Sequence, residues 1–350
     1  MHGFRQNLSM ETLRGLACLL LVAYHVVGSE PLLNGLRLPA DHALHVINAA
    51  LTHLRMPLFT FISGYVYCYR PLTGQPGRFL GGKLRRLGLP LLSIGTLFAL
   101  LQYLIPGTNA SHEPTELWRI YLFPFAHYWF LQALLVVFAL FALLELTGVT
   151  RRPNGLLLVL LAAGLCYPHR QLLPDLLALQ KALYLLPCFL FGVLYHRVLE
   201  SRLRRHRPLA LPLLTLLTLA ALTFTPVLDD TSALGRLSLG LSLLLLMLTA
   251  VAGPRVALLA RLGQYSFAIY LLHVFFTAAM RLALERLGLN QPLPGFVLGL
   301  VAGLLGPVLI HRACAPLPWA RLLLFGQSLP RRAAGTRPLT AASGFPPPAD

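Results

Sequence analysis

Three ionisable residues head the first apolar run of the chain, in "ETLRGLACLLLVAYH": Glu11, Arg14 and His25. On an α-helix, Arg14 and His25, eleven residues apart, face the same way, separated by roughly 16 Å along the axis. Glu11 lies one turn before Arg14 and can pair with it. Lipid penalises such side chains, and those that persist usually face a cavity or the bundle interior. A neutral imidazole can act as general base on a hydroxyl. An arginine can bind phosphate or steady a developing oxyanion. A snorkelling Arg14 and a hydrogen-bonded structural His25 are the bland alternative, which is weaker for His25 because it lies too deep to snorkel.

Further polar points follow. "HLRMPLFTFISGYVY" carries Arg55 near its middle, with His53 and Ser63 beside it. Arg55 needs a counter-charge, a ligand or a water-filled cavity. "GRFLGGKLRRLGLP" clusters Lys83, Arg85 and Arg86 just before an apolar run. Charge alone favours positive-inside signalling and anionic lipid headgroups there, over a phosphate clamp for a soluble anionic cosubstrate. "HYWFLQALL" brings His127 and Trp129, and "YSFAIYLLHV" brings Tyr270 and His273 on one helical face. No metal site is expected, because the twelve histidines are scattered without ligand spacing on any helix. Taken together, base, cations and two membrane mouths suit acyl transfer.

The elements that must position these residues are membrane helices. Of the 350 residues 56% are hydrophobic and only 12% charged, half the charge of a usual soluble domain. Ten continuous apolar runs are predicted to span the bilayer: 10–28, 45–67, 87–105, 128–147, 154–168, 178–199, 209–228, 234–252, 264–282 and 294–313. The fifth is the shortest. Each approaches the length a helix needs, and none alternates like a barrel strand. The chain is thus expected to be an all-α polytopic bundle over residues 1–326, with a Pro- and Gly-rich disordered cytoplasmic tail at 327–350.

Charge in the loops fixes the orientation expected of that bundle. Of 29 basic residues, 20 fall in one alternate set of loops and seven in the other, with Arg14 and Arg55 inside spans. The heavier set should be cytoplasmic, together with both termini. This placement also makes nucleic acid a poor partner for the net charge of +17. The five cysteines lie in or beside apolar runs without knuckle spacing and read as small buried hydrophobes. The first run has no A-x-A-like exit and is expected to be retained.

These segments, in this order, resemble the membrane acyltransferase-3 family over about residues 9–275. Glu11, Arg14 and His25 resemble its opening signature, and "LRMPLFTFISGY" its second segment, with Arg55 at its arginine. "KLRRLGLP" looks like its basic loop, and "YWFLQALL" and "YSFAIYLLH" like its later blocks. The resemblance implies a ten-helix enzyme of the bacterial inner membrane. It would move an acyl group, most often acetyl, from coenzyme A to a hydroxyl of a carbohydrate or glycolipid. It implies a catalytic role for His25, as base or as acyl carrier, and a donor-binding role for Lys83, Arg85 and Arg86. Some relatives append a soluble hydrolase-like domain, which is not expected here. A transporter or flippase without chemistry would also bury charges around a cavity, but the first and second five spans show no repeat of the kind common in transporters.

Overall fold

The computed structural model describes residues 8–108, 113–205, 256–289 and 291–329, and these contain helices and turns but no strand. Among them, seven helical stretches are long and apolar enough to cross a membrane: Met10–Val27, Pro76–Leu104, Pro114–Leu146, Pro153–Leu172, Leu179–Arg202, Ser266–Arg286 and Pro292–Ala313. Each coincides with or contains a predicted span. The predicted spans at 209–228 and 234–252, and the tail from residue 330, lie outside the described residues.

Helix α1, Leu8–Val27, sits inside the bundle and carries the Glu11, Arg14 and His25 face. It ends at Gly28, whose φ of 100° is open to glycine at no steric cost. The predicted second span is two helices, α2 (Ala43–Ala50) and α3 (Thr52–Tyr67), broken at Leu51. His42 caps the first of these, its Nδ1 accepting the Leu44 N–H at 3.2 Å.

The third span corrects the sequence reading more sharply. Its helix, α4, begins at Pro76 and runs to Leu104, so Lys83, Arg85 and Arg86 stand on a helix and not in a loop. Proline at the first position starts a helix readily, and the next proline in the stretch is Pro90. There the missing N–H and ring clash are absorbed by π turns on either side, Leu84–Gly88 and Leu91–Gly95. Such turns are common at functional sites.

Short helical turns lead into α5, Trp129–Leu146. Helix α6, Pro153–Cys166, buries little beyond Leu156 and Ala163, and turns Leu157, Leu158, Leu161 and Leu165 outward, as a lipid-facing helix must. Helix α7, Leu179–Leu194, is by contrast almost wholly buried over its second half. Helices α8 (Ala257–Gln264), α9 (Ser266–Arg286), α10 (Pro292–Ala313) and α11 (Pro318–Phe325) complete the description.

Apolar lipid gives helices little hydrophobic reason to associate, so close backbone approach through small residues carries much of the packing. Two crossings show this reciprocally. Gly15 of α1 lies on the Leu259 carbonyl of α8, and Gly263 of α8 lies on the Glu11 carbonyl of α1. Likewise Gly64 of α3 lies on the Phe189 carbonyl of α7, and Gly192 of α7 on that of Phe61. On α10, Gly299 and Gly303 receive Val26 and Val22 of α1. A Cβ at Gly192 would strike backbone, whereas one at Gly164 of α6 meets nothing within 4 Å. Gly192→Val is therefore expected to cost at least about 3 kcal/mol, as overpacking and strain do, and to remove the monodisperse peak in detergent gel filtration. Gly164→Val is expected to elute as wild type does; equal behaviour of the two variants would refute the crossing.

A partly buried ion pair joins three helices near one end of the bundle. Arg197, in the π turn after α7, donates Nη1 and Nη2 to the two Glu145 carboxylate oxygens at 3.0 and 3.2 Å. Thr150 and Tyr67 hydroxyls donate to the same carboxylate at 2.5 and 3.2 Å. The charge is thus compensated on all sides, the condition under which a buried pair is tolerated.

Candidate active site

The polar points of the sequence converge on two cavities near opposite ends of α1. One, of about 640 Å³, is lined by His25 and Arg55, with Trp129, His127 and Tyr270. The other, of about 740 Å³, is lined by Arg14, Ser63, Lys83 and Arg86, again with Tyr270. Tyr270 lines both.

His25 and His127, which line the first cavity, meet a third imidazole, His273, behind its wall. The His25 ring lies 4.8 Å from that of His273 and 5.8 Å from that of His127, and the latter two are 5.0 Å apart, all edge-on. They come from α1, the turn before α5, and α9. His273 is fully buried. Its Nδ1 is 2.9 Å from the Ile269 and Tyr270 carbonyl oxygens. Carbonyls only accept, so Nδ1 carries the hydrogen and Nε2 keeps a lone pair. The Nε2 atoms of both His273 and His127 are buried without a protein partner. His25 itself makes no side-chain hydrogen bond among the described residues, which leaves its ring nitrogens to whatever enters the cavity.

Latches hold the His127 turn against α9. The Tyr270 hydroxyl donates to the His127 carbonyl at 2.5 Å, and the Tyr128 hydroxyl to that of Leu271 at 3.0 Å. Gln132, one turn into α5, donates Nε2 to the Ile120, Tyr121 and Phe123 carbonyls at 3.0 to 3.2 Å. Ala126, at φ 42°, makes the sharp turn that swings His127 inward.

Arg55 is 4% exposed, and Asn48 and Tyr24 are among the groups that meet it. Nη1 donates to the Asn48 carbonyl at 3.0 Å and to its Oδ1 at 2.6 Å, and the guanidinium lies 4.1 Å over the Tyr24 ring. Asn48 is anchored in turn by a 3.0 Å bond to the Gly28 carbonyl. Asn48 stands seven residues before Arg55, across the break at Leu51, and the long arginine side chain reaches it there. His53 stands on α3, but its side chain is outside the described residues.

In the second cavity Glu11 and Arg14 pair at 2.5 Å, as their spacing predicts. Ser63 bonds back to the Phe59 carbonyl at 2.9 Å while lining the wall. The Lys83 ammonium rests 3.7 Å over the Phe138 ring. Arg86 donates to the Phe325 carbonyl at 2.7 Å and stacks 4.2 Å over Phe267. Arg85 is exposed and does not line the cavity, since the helix turns it away from the face that Lys83 and Arg86 share. Arg70, which sequence reading treated only as a loop charge, joins the lining instead. In the first cavity Arg170 and Lys181 do the same. Among the described residues no cluster of His, Cys, Asp and Glu is arranged to hold a metal.

The arrangement offers a cation-lined vestibule at one end of α1, a histidine-bearing chamber at the other, and one tyrosine between. Residues 7–312 match the model of the acyltransferase-3 family, described as an acyltransferase domain. No curated protein and no solved structure matches the chain. With nearly its whole length matched and seven apolar helices to carry it, the chain is a multi-pass membrane protein that belongs to the acyltransferase-3 family.

Proposed function

We propose that the protein is a ten-span O-acyltransferase of a bacterial inner membrane, with both termini cytoplasmic. It moves an acyl group, acetyl in the first instance, from acyl-CoA to a hydroxyl of a carbohydrate or glycoconjugate. The observation that carries this reading is the pair of cavities meeting at Tyr270, one lined by cations and the other by His25.

The residues of the Arg14 cavity fit an anionic donor with a long thin arm. Lys83, Arg86 and Arg70 offer charge to phosphates, and Phe130, Phe138 and Phe267 offer apolar surface beyond them. Arg85, exposed nearby, fits the lipid-headgroup role better. In the other chamber His25 takes the proton from the acceptor hydroxyl as its oxygen attacks the thioester carbonyl. Arg55 shares that chamber and is the nearer oxyanion partner; Arg14, roughly 16 Å away along α1, lies on the donor's route. As the C–S bond breaks and the ester C–O bond forms, His25 returns the proton to the departing thiolate.

The test is consumption of acetyl-CoA by purified full-length protein, read as free thiol, together with acetyl-CoA binding in the same detergent. Binding with slow thiol release, accelerated by a glycan acceptor, is expected. A protein that neither bound nor consumed acetyl-CoA would be a transporter or flippase, and the enzymatic reading would fall.

A further inference from the structure

The loops predicted to face away from the cytoplasm hold seven basic residues in the whole sequence. Arg37 and Arg281 pair with Glu285 at 3.6 and 2.8 Å, and Arg119 with Glu116 at 3.0 Å. Arg170 and Lys181 have no ion pair among the described residues, and both turn into the His25 cavity. They arrive from separate elements, Arg170 from the helical turn Tyr167–Leu172 and Lys181 from the start of α7. Arg55, held by Asn48, lines the chamber from α3, and among the described residues no carboxylate lines it. A cavity that gathers Arg170 and Lys181 with no carboxylate among its described lining, on the side of the protein expected to hold the fewest basic residues, suits an anion.

Its neutral lining names the rest of the ligand. The Arg170 guanidinium gives one bond to the Tyr167 carbonyl at 3.0 Å and lies 4.7 Å over the Tyr167 ring, which leaves most of its fork for a ligand. The Lys181 ammonium is 5.7 Å from the Trp129 ring centroid. Trp129 and Tyr184 add aromatic rings to the lining, a surface that suits the C–H face of a pyranose, and Gln171 adds an amide that suits hydroxyls. Resting on the acyltransferase reading, we infer that the acceptor is a sugar bearing a negative charge. Its carboxylate or phosphate is held by Arg170 and Lys181 while a hydroxyl of the same unit reaches His25. The two cations then select the acceptor and set its register, and the transferred group goes to a hydroxyl at a fixed distance from the anionic substituent.

Equilibrium binding to purified full-length protein tests this. The probes are digalacturonate against the neutral digalactose made by reducing its carboxyls, and galactose 1-phosphate against galactose. Wild type is expected to bind at least one anionic probe about tenfold or more tighter than its neutral partner, the size of one or two charge-assisted hydrogen bonds. The two pairs separate a carboxylate from a phosphate. In Arg170→Glu/Lys181→Glu, and in the milder Lys181→Gln, the preference should shrink or vanish while acetyl-CoA affinity stays unchanged. Equal affinity for charged and neutral probes, no binding of either, or a preference that survives the double substitution would overturn the inference. So would a preference erased by phosphatidylglycerol nanodiscs, which would assign the two cations to lipid headgroups. Acetyl-CoA binding by wild type, measured alongside, reports separately on the acyltransferase reading, so the two can fail independently.

Discussion

A His25→Ala protein is expected to lose acyl transfer by at least about 10²-fold, the usual contribution of a positioned general base, while folding and binding donor as wild type does. The structure explains why the two effects should separate. His25 faces the cavity and gives no side-chain hydrogen bond to the described protein, so its removal orphans nothing that was paired. The Nε2 atoms of His127 and His273 already lack protein partners. The loss of one ring against Tyr24 and His273 costs packing of the order of 1–2 kcal/mol, which a bundle of this size tolerates. Thiol release from acetyl-CoA, donor affinity and the detergent melting temperature together decide the matter. Transfer retained by His25→Ala, with all three near wild type, would remove His25 from the chemistry.

The second large effect is expected at the donor. Lys83→Glu should raise KM for acetyl-CoA about 10- to 100-fold, through loss of a charge-assisted contact worth about 1.5–3 kcal/mol, with a smaller change in kcat. Arg85→Glu should leave KM within about twofold. The two residues are near neighbours in sequence, yet only Lys83 lines the cavity. Arg86→Glu is a less clean probe, because Arg86 also holds the Phe325 carbonyl of α11. Equal KM changes at 83 and 85 would point to a diffuse surface charge, and the vestibule would lose its claim on the donor.

What the sequence made legible was local. Helical spacing alone put Glu11, Arg14 and His25 on one face, and the structure keeps the Glu11–Arg14 pair. Apolar length alone located seven spans that the structure bears out. Periodicity did not reveal that α4 starts at Pro76, because glycines and basic residues before Lys83 break the apolar pattern while leaving the backbone free to stay helical. Nor did it reveal the break at Leu51, where no proline or glycine marks the turn and where Asn48 becomes the partner of Arg55. The His25, His127 and His273 contact was the least accessible. Each histidine was visible by itself, but they stand on three segments far apart in the chain, and only packing brings their rings together. Arg170 and Lys181 were read as loop charges for the same reason: their shared cavity is a property of α7 and its preceding turn packed among α3, α5 and α6, not of either segment.

Tyr270 has an electrical consequence. A membrane voltage falls across material of low dielectric constant and hardly at all across water. Two open cavities that both reach Tyr270 would, once filled with water, leave a low-dielectric layer thinner than the roughly 30 Å hydrocarbon core. The field there would be correspondingly steep. A proton or a developing negative charge that moved past Tyr270 would feel a larger share of the potential than its displacement alone suggests, up to about 2.3 kcal/mol for each unit charge per 100 mV. Chemistry placed beside Tyr270 would then respond to the energised state of the membrane, even if no ion ever crossed from one side to the other.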